Sequence, residues 1–170
     1  IPNNLFIGVM INAGELKNNN LDPLINLKKL FPKINKRINF VRFACHITEV
    51  TILSKCIRWL KENKIKVFIN IMQISEINKN EIKNICLFLK KNQVETLYFA
   101  DSLGCLTPKT LVEIIKEFKK SWKDQIGLHA HNNLNLALKN STEAIKWGFE
   151  WIDSTITGMG RGPGNLKTED

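Results

Sequence analysis

Apolar residues fall in six short runs along the chain: 5–11 (LFIGVMI), 38–44 (INFVRFA), 66–72 (KVFINIM), 96–100 (TLYFA), 126–130 (IGLHA) and 151–156 (WIDSTI). Rich in Val, Ile and Phe and mostly without polar alternation, they predict strands covered on both faces, as in a parallel sheet. Between them, helical spacing predicts helices over 21–31, 49–63, 79–91, 108–122 and 134–147. The fourth is the clearest. Thr107 can cap it, Pro108 suits its first turn, and Leu111, Ile114, Ile115 and Phe118 recur at i, i+3, i+4 and i+7. Gly148 suits the residue after the fifth.

Alternating strands and helices make the fold α/β with a parallel sheet. A doubly wound open sheet and a (β/α)₈ TIM barrel both satisfy this rhythm. Strand starts spaced about 25–35 residues apart give a barrel near the usual ~250 residues over eight units. The first strand carries no G-x-G-x-x-G turn, which counts against the doubly wound sheet. The polar residues favour a barrel. His46, Asp101 with Ser102, His129 with His131, and the glycine-rich TGMGRGPGN stretch all follow strand C-termini, which a barrel gathers around one mouth.

His129 and His131 stand one residue apart, and only one other histidine, His46, occurs in the chain. Residues i and i+2 of a strand face one side, so the two imidazoles converge and invite a divalent metal. The alternative is a pair on the solvated face of an edge strand.

Composition narrows the partners. A chain of 170 residues that is 44% hydrophobic and 24% charged can bury a globular core. Its formal charge of +9 is spread along amphipathic segments such as EIIKEFKKSWK, with one tyrosine and no basic–aromatic platform, so nucleic acid is not the expected partner. No run approaches the ~18 apolar residues of a membrane span. Cys45, Cys56, Cys86 and Cys105 show no CxxC spacing, and we expect buried, reduced thiols in a cytoplasmic protein. The first residue is Ile1 rather than Met, which reads as a cut.

The segments VRFACHITE, LYFADSLGCLTP, IGLHAHNNLNLALKNSTEAIKWG and IDSTITGMGRGPGNLKTE resemble the metal-dependent pyruvate aldolase and HMG-CoA lyase-like barrels. HAH-x-NL, D-S-x-G and G-M-G-x-G-x-G-N are most similar to the 4-hydroxy-2-oxo acid aldolases. The resemblance runs from about residue 38 to the last. It implies a TIM barrel and a divalent cation, Mn²⁺ or Mg²⁺, with His129, His131 and Asn165 as ligands. It further implies lyase cleavage of a 4-hydroxy-2-oxo acid to pyruvate and an aldehyde, with Ser102 hydrogen-bonded to the substrate carboxylate. Asp101 then orients a ligand or handles a proton, or else ties down a loop. His46 reads as lining the mouth, and Gly160 and Gly162, within loop 158–164, as letting backbone approach the substrate. Arg161 stands where the aldolase pattern has a small residue.

One motif is missing. The family's first strand carries D-x-x-x-R-[DE]-G, which supplies a metal-binding Asp and a catalytic Arg, and a histidine base lies near it. None of Asp22, Asp101, Asp124, Asp153 or Asp170 opens such a motif. The chain therefore reads as strands three to eight of an incomplete barrel, a single partial domain over 1–170, inactive alone and with unpaired edges at 5–11 and 151–156. A condensing acyltransferase of the isopropylmalate synthase type is an alternative, although its HxH is usually followed by an acidic residue where this chain has Asn132 and Asn133. A non-catalytic remnant used as an interaction domain is the other. The small-molecule 2-oxo acid is the expected partner; a homo-oligomer or a dehydrogenase partner stays open.

Overall fold

The computed structural model describes residues 2, 4–162 and 164–170. Six strands, β1 (Gly8–Asn12), β2 (Phe40–Cys45), β3 (Lys66–Ile71), β4 (Thr96–Ala100), β5 (Gln125–His129) and β6 (Trp151–Ile152), form one sheet. All neighbours are parallel and the spatial order is the chain order. Five α-helices connect them: α1 (Pro23–Leu30), α2 (Ser54–Glu62), α3 (Lys79–Lys91), α4 (Pro108–Ser121) and α5 (Ala137–Lys146).

The two faces of the sheet are different environments. Val41, Phe43 and Cys45 of β2, Val67, Ile69 and Ile71 of β3, Leu97 and Phe99 of β4, and Ile126 and Leu128 of β5 join one apolar core. The same core takes in Ile57 and Leu60 of α2, Ile82 and Leu89 of α3, and Leu111 and Phe118 of α4. The alternate residues meet one another instead. Trp151 of β6 lies 5.4 Å, ring to ring, from Phe68 of β3 and 6.4 Å from Phe40 of β2. In a flat sheet β2 and β6 would stand roughly 19 Å apart, four intervals of about 4.8 Å. The sheet is therefore a curved barrel wall with its helices on the outside. The doubly wound alternative, which needs helices on both faces, is excluded.

Helix boundaries follow their caps. Asn78 accepts from the amides of Asn80 and Glu81 at 3.0 and 3.1 Å, while Glu81 accepts from the Asn78 amide at 2.9 Å, closing a capping box at the start of α3. Thr107 accepts from the Thr110 amide at 3.2 Å and Pro108 opens α4. Gly148, at φ 80°, ends α5 as expected.

Three sequence-based boundaries are corrected. The helix expected over 49–63 begins as a 3₁₀ stretch, Ile47–Leu53, and becomes α only at Ser54; its Ile, Thr and Val side chains are β-branched and crowd an α-turn. The helix expected from 134 starts at Ala137, because Asn135 is left-handed (φ 55°) and Asn132 Oδ1 accepts from the Ala137 amide, making 132–136 a turn. The strand expected over 151–156 pairs as a strand only at 151–152. Beyond it the Asp153 amide still donates to Leu128 O, but the Thr155 amide donates to Leu166 O, so 164–168 fold back against this edge. Cysteines divide three to one: Cys45, Cys56 and Cys86 are buried free thiols, whereas Cys105 is exposed in the loop before α4. Among the described residues no helix is long and apolar enough to cross a membrane.

Candidate active site

The C-terminal ends of the strands form the polar end of the barrel. His129 closes β5, and its ring lies 5.2 Å from that of His131, nearly edge-on at 74°. His131 is fixed by its backbone. It bridges Asn165 in an antiparallel pair, the Asn132 amide donates to Gly164 O, and the Leu166 amide donates to Ala130 O. The fold-back of 164–168 thus sets Asn165 beside the histidine strand.

The Asn165 side chain is held in one sense. Its Nδ2 donates to Met159 O at 3.1 Å, whereas Oδ1 is buried and takes no hydrogen bond among the described residues. A buried oxygen without a donor calls for an explanation, such as a cation. Gly160 makes this arrangement possible, since a Cβ there would come within 2.6 Å of Asn165 Nδ2. Gly162 and Arg161 are exposed, and Pro163, the remaining member of the expected loop, lies outside the described residues, as does Ile1.

On its other side His129 meets groups that the sequence analysis passed over. Its Nδ1 lies 2.8 Å from Asp153 Oδ2. Asp153 in turn receives both arms of Arg42, Nη1 to Oδ1 at 2.9 Å and Nη2 to Oδ2 at 2.8 Å. The guanidinium also lies 4.4 Å from the centre of the Tyr98 ring, a cation–π distance. Burial pushes the Asp153 carboxyl upward, but hydrogen bonds from His129 and Arg42, with their charge, outweigh it and hold the group below the usual aspartate value. Burial alone would likewise favour neutral Arg42; the bonds to Asp153 reverse this and keep it charged. His131 is held below the ordinary imidazole value, first by burial and then by the neighbouring His129.

The other expected residues have different surroundings. Asp101 is buried, with its carboxylate accepting from the amides of Cys105 (3.0 Å) and Leu106 (3.3 Å), so it organises the loop that begins with Ser102. Burial raises its carboxyl in spite of those bonds. Ser102 Oγ accepts from the Gln73 amide at 3.3 Å, leaving its proton to give. His46 is exposed at the end of β2, where its amide donates to Glu49 Oε2, and it is not part of the bonded group around His129. Among the described residues no set of three or more His, Cys, Asp or Glu side chains gathers around one point, so the third donor to a cation would be the Asn165 amide oxygen. The sequence marked two members of the missed network without pairing them. Arg42 interrupts the apolar run INFVRFA, and Asp153 lies two residues beyond Trp151, on the inward side of β6.

Known proteins share the sequence and the fold of this chain. The chain is 30% identical over 143 residues to a 4-hydroxy-2-oxovalerate aldolase of Geobacillus thermodenitrificans, an alignment covering 84% of this chain and 42% of that enzyme. The chain thus spans about two fifths of the length of the curated relatives it matches. The N-terminal domain of an inferred aldolase from Bacteroides vulgatus superimposes with a TM-score of 0.79 at 31% identity, covering 98% of this chain and 54% of that one. The HMG-CoA lyase of Bacillus subtilis shares the fold, with a TM-score of 0.76 at 16% identity over 95% of this chain and 59% of its own. Residues 33–170 match the model of the HMGL-like family. That match takes in β2 to β6, both histidines, Asp153 and Asn165, and the chain belongs to the HMGL-like family.

Proposed function

We propose that this chain is the histidine-bearing part of a divalent-metal aldolase that cleaves a 4-hydroxy-2-oxo acid to pyruvate and an aldehyde. The observation that carries the reading is the buried, unpartnered Asn165 Oδ1 paired across the backbone from His131. His129, with Nδ1 engaged by Asp153, has Nε2 left to ligate, and burial favours the neutral, ligating form of His131. These three residues would hold Mn²⁺ or Mg²⁺ through two imidazoles and an amide oxygen. When bound, such a cation polarises the 2-oxo carbonyl and stabilises the charge that builds on its oxygen as the carbon–carbon bond breaks.

The remaining residues bind and orient. Ser102, its oxygen held by the Gln73 amide, donates its hydroxyl proton to the substrate carboxylate. Asp101 keeps the Ser102 loop in place through the Cys105 and Leu106 amides. His46 lines the rim, and Gly160 and Gly162 let the loop backbone approach substrate. Arg42 and Asp153, the cation and the carboxylate bonded around His129, are engaged with each other, which leaves neither a base for the 4-hydroxyl proton nor a cation for the developing enolate in that group; each such group is worth about 10²–10⁴ in rate. The D-x-x-x-R-[DE]-G strand would supply them in the parent protein.

The test is a lactate-dehydrogenase-coupled assay for pyruvate, run on the parent protein and on residues 1–170. Turnover is expected from the parent alone and is lost in His131→Ala. Turnover by 1–170 that survives in His131→Ala would refute the assignment. The isopropylmalate-synthase-type reading fits less well, because Asn132 and Asn133 follow the histidine pair where an acidic residue is expected.

A further inference from the structure

Arg42 is a charged feature of the barrel interior that the proposed chemistry leaves unused. It projects from the middle of β2, with only 15% of its side chain exposed, among strands whose other inward residues include Phe40, Phe68 and Tyr98. A guanidinium is costly to place there unless it is fully bonded. Its partner is Asp153, 111 residues away and directly after β6. The pairing is bidentate, which fixes the plane of the carboxylate as well as its position. Both Asp153 oxygens face Arg42, and Oδ2 also meets His129 Nδ1.

We infer that Arg42 is a positioning residue: by clamping Asp153 in one plane, it fixes His129 as the Nδ1–H tautomer and turns Nε2 toward the mouth. The consequence for metal rests on the reading of His129 as a ligand, whereas the orientation itself does not. A carboxylate behind a ligating histidine sets its tautomer and ring direction, and loss of such a partner typically weakens metal binding about 10–100-fold. Here the carboxylate is itself held by a third residue from the far side of the barrel. Tyr98 completes the seat, with its ring 4.4 Å from the guanidinium carbon. Lysine at position 42 would keep the charge but could not engage both oxygens in one plane.

The test uses the intact protein with ¹⁵N-labelled histidine, and His129→Asn to assign the signal. The native protein is expected to show His129 as a single Nδ1–H tautomer. In Arg42→Gln, where the Asp153 carboxylate is free to turn away, the single signal is expected to give way to a mixture of the two tautomers, with Arg42→Lys in between. Mn²⁺ affinity, measured by water-proton relaxation, is expected to fall at least tenfold in Arg42→Gln and to be partly restored in Arg42→Lys. Because Arg42→Gln leaves a carboxylate without its partner, the double variant Arg42→Met, Asp153→Asn, which removes both charges, is compared with Asp153→Asn alone: the added Arg42 change is expected to move the tautomer no further, since Arg42 acts only through Asp153. An unchanged tautomer and unchanged Mn²⁺ affinity in folded variants would overturn the inference and leave the pair as a structural brace. Absence of Mn²⁺ binding in the native protein, with the tautomer still responding to Arg42, would support the positioning role and refute the metal reading.

Discussion

The barrel interior has two ends, built from the same strands on opposite principles. At the N-terminal end the inward side chains are aromatic: Phe6, Phe40, Phe68 and Trp151 pack ring on ring, with Phe40 and Phe68 stacked at 4.4 Å. At the C-terminal end Arg42, Asp153, His129, His131 and Asn165 are joined through hydrogen bonds and backbone pairs. Both ends bind β6 across the interior to β2. The aromatic floor does so without directional demand and tolerates small shifts of its rings. The polar mouth tolerates none, since each bond fixes an angle. One end supplies stability, and the other spends some of it on geometry.

Phe68→Ala gives the largest expected effect. Phe68 is 1% exposed at the centre of the floor, so truncation should lower stability by about 3–5 kcal/mol in denaturant titration. Mn²⁺ affinity of the protein that remains folded should stay within about twofold, because the floor does not aim the mouth. An equal loss of affinity would erase the division between the two ends. The converse is His131→Ala, which removes one of the two proposed imidazole ligands at the half-buried rim. Affinity should fall by two orders of magnitude or more in the relaxation titration, with stability changed by about 1 kcal/mol or less.

Gly160→Ala sharpens the comparison within the mouth. The new methyl meets the Asn165 amide and displaces it, so Mn²⁺ affinity should fall about tenfold, while thermal melts move little because the residue is exposed. The pH effect is smaller still. As the pH falls, the unfolded chain protonates His131 near 6.5, before the folded chain does, so the metal-free protein loses stability as the pH drops through that value. Melts at pH 7.5 and 5.5 should show a larger loss in the native protein than in His131→Gln; equal losses would assign the effect elsewhere. Thiol labelling leaves the fold almost untouched. At pH 8 Cys105 alone should react, since the other three are buried and burial raises Cys56 to about 12 and Cys86 to about 11. Labelling of two or more thiols without denaturant would show an outer layer looser than described.

How much of this was legible in the sequence follows the same division. The outer face was readable because packing against helices repeats at fixed periods: Leu111, Ile115 and Phe118 are buried as their spacing predicted, and every strand except β6 lies within three residues of its apolar run. The gathering of the histidine pair and Asn165 was readable as motifs, because side chains on one strand or one loop keep a constant spacing. The Arg42–Asp153–His129 group was not, since its members come from three strands and meet only when the sheet curves. An arginine within an apolar run marked the place but could not name the partner. The shortness of β6 was hidden as well, because the fold-back of 164–168 that replaces its pairing shows no strand pattern of its own.

The sheet keeps the order of the chain, and this bears on how the molecule assembles. Each ladder joins residues about 30 apart in sequence, whereas Arg42 and Asp153 are 111 apart. Loop-closure entropy, rising as (3/2)RT ln n, makes that last ring about 1 kcal/mol harder to close than any single step between neighbouring strands. The wall can therefore grow strand by strand through short-range encounters, with the transverse contact formed last. An intermediate stalled before that point has native ladders and helices but a carboxylate at position 153 without its guanidinium and an untethered imidazole at position 129. Secondary structure should consequently recover earlier in refolding than cation binding, and the lag between the two signals would time the closure of the ring.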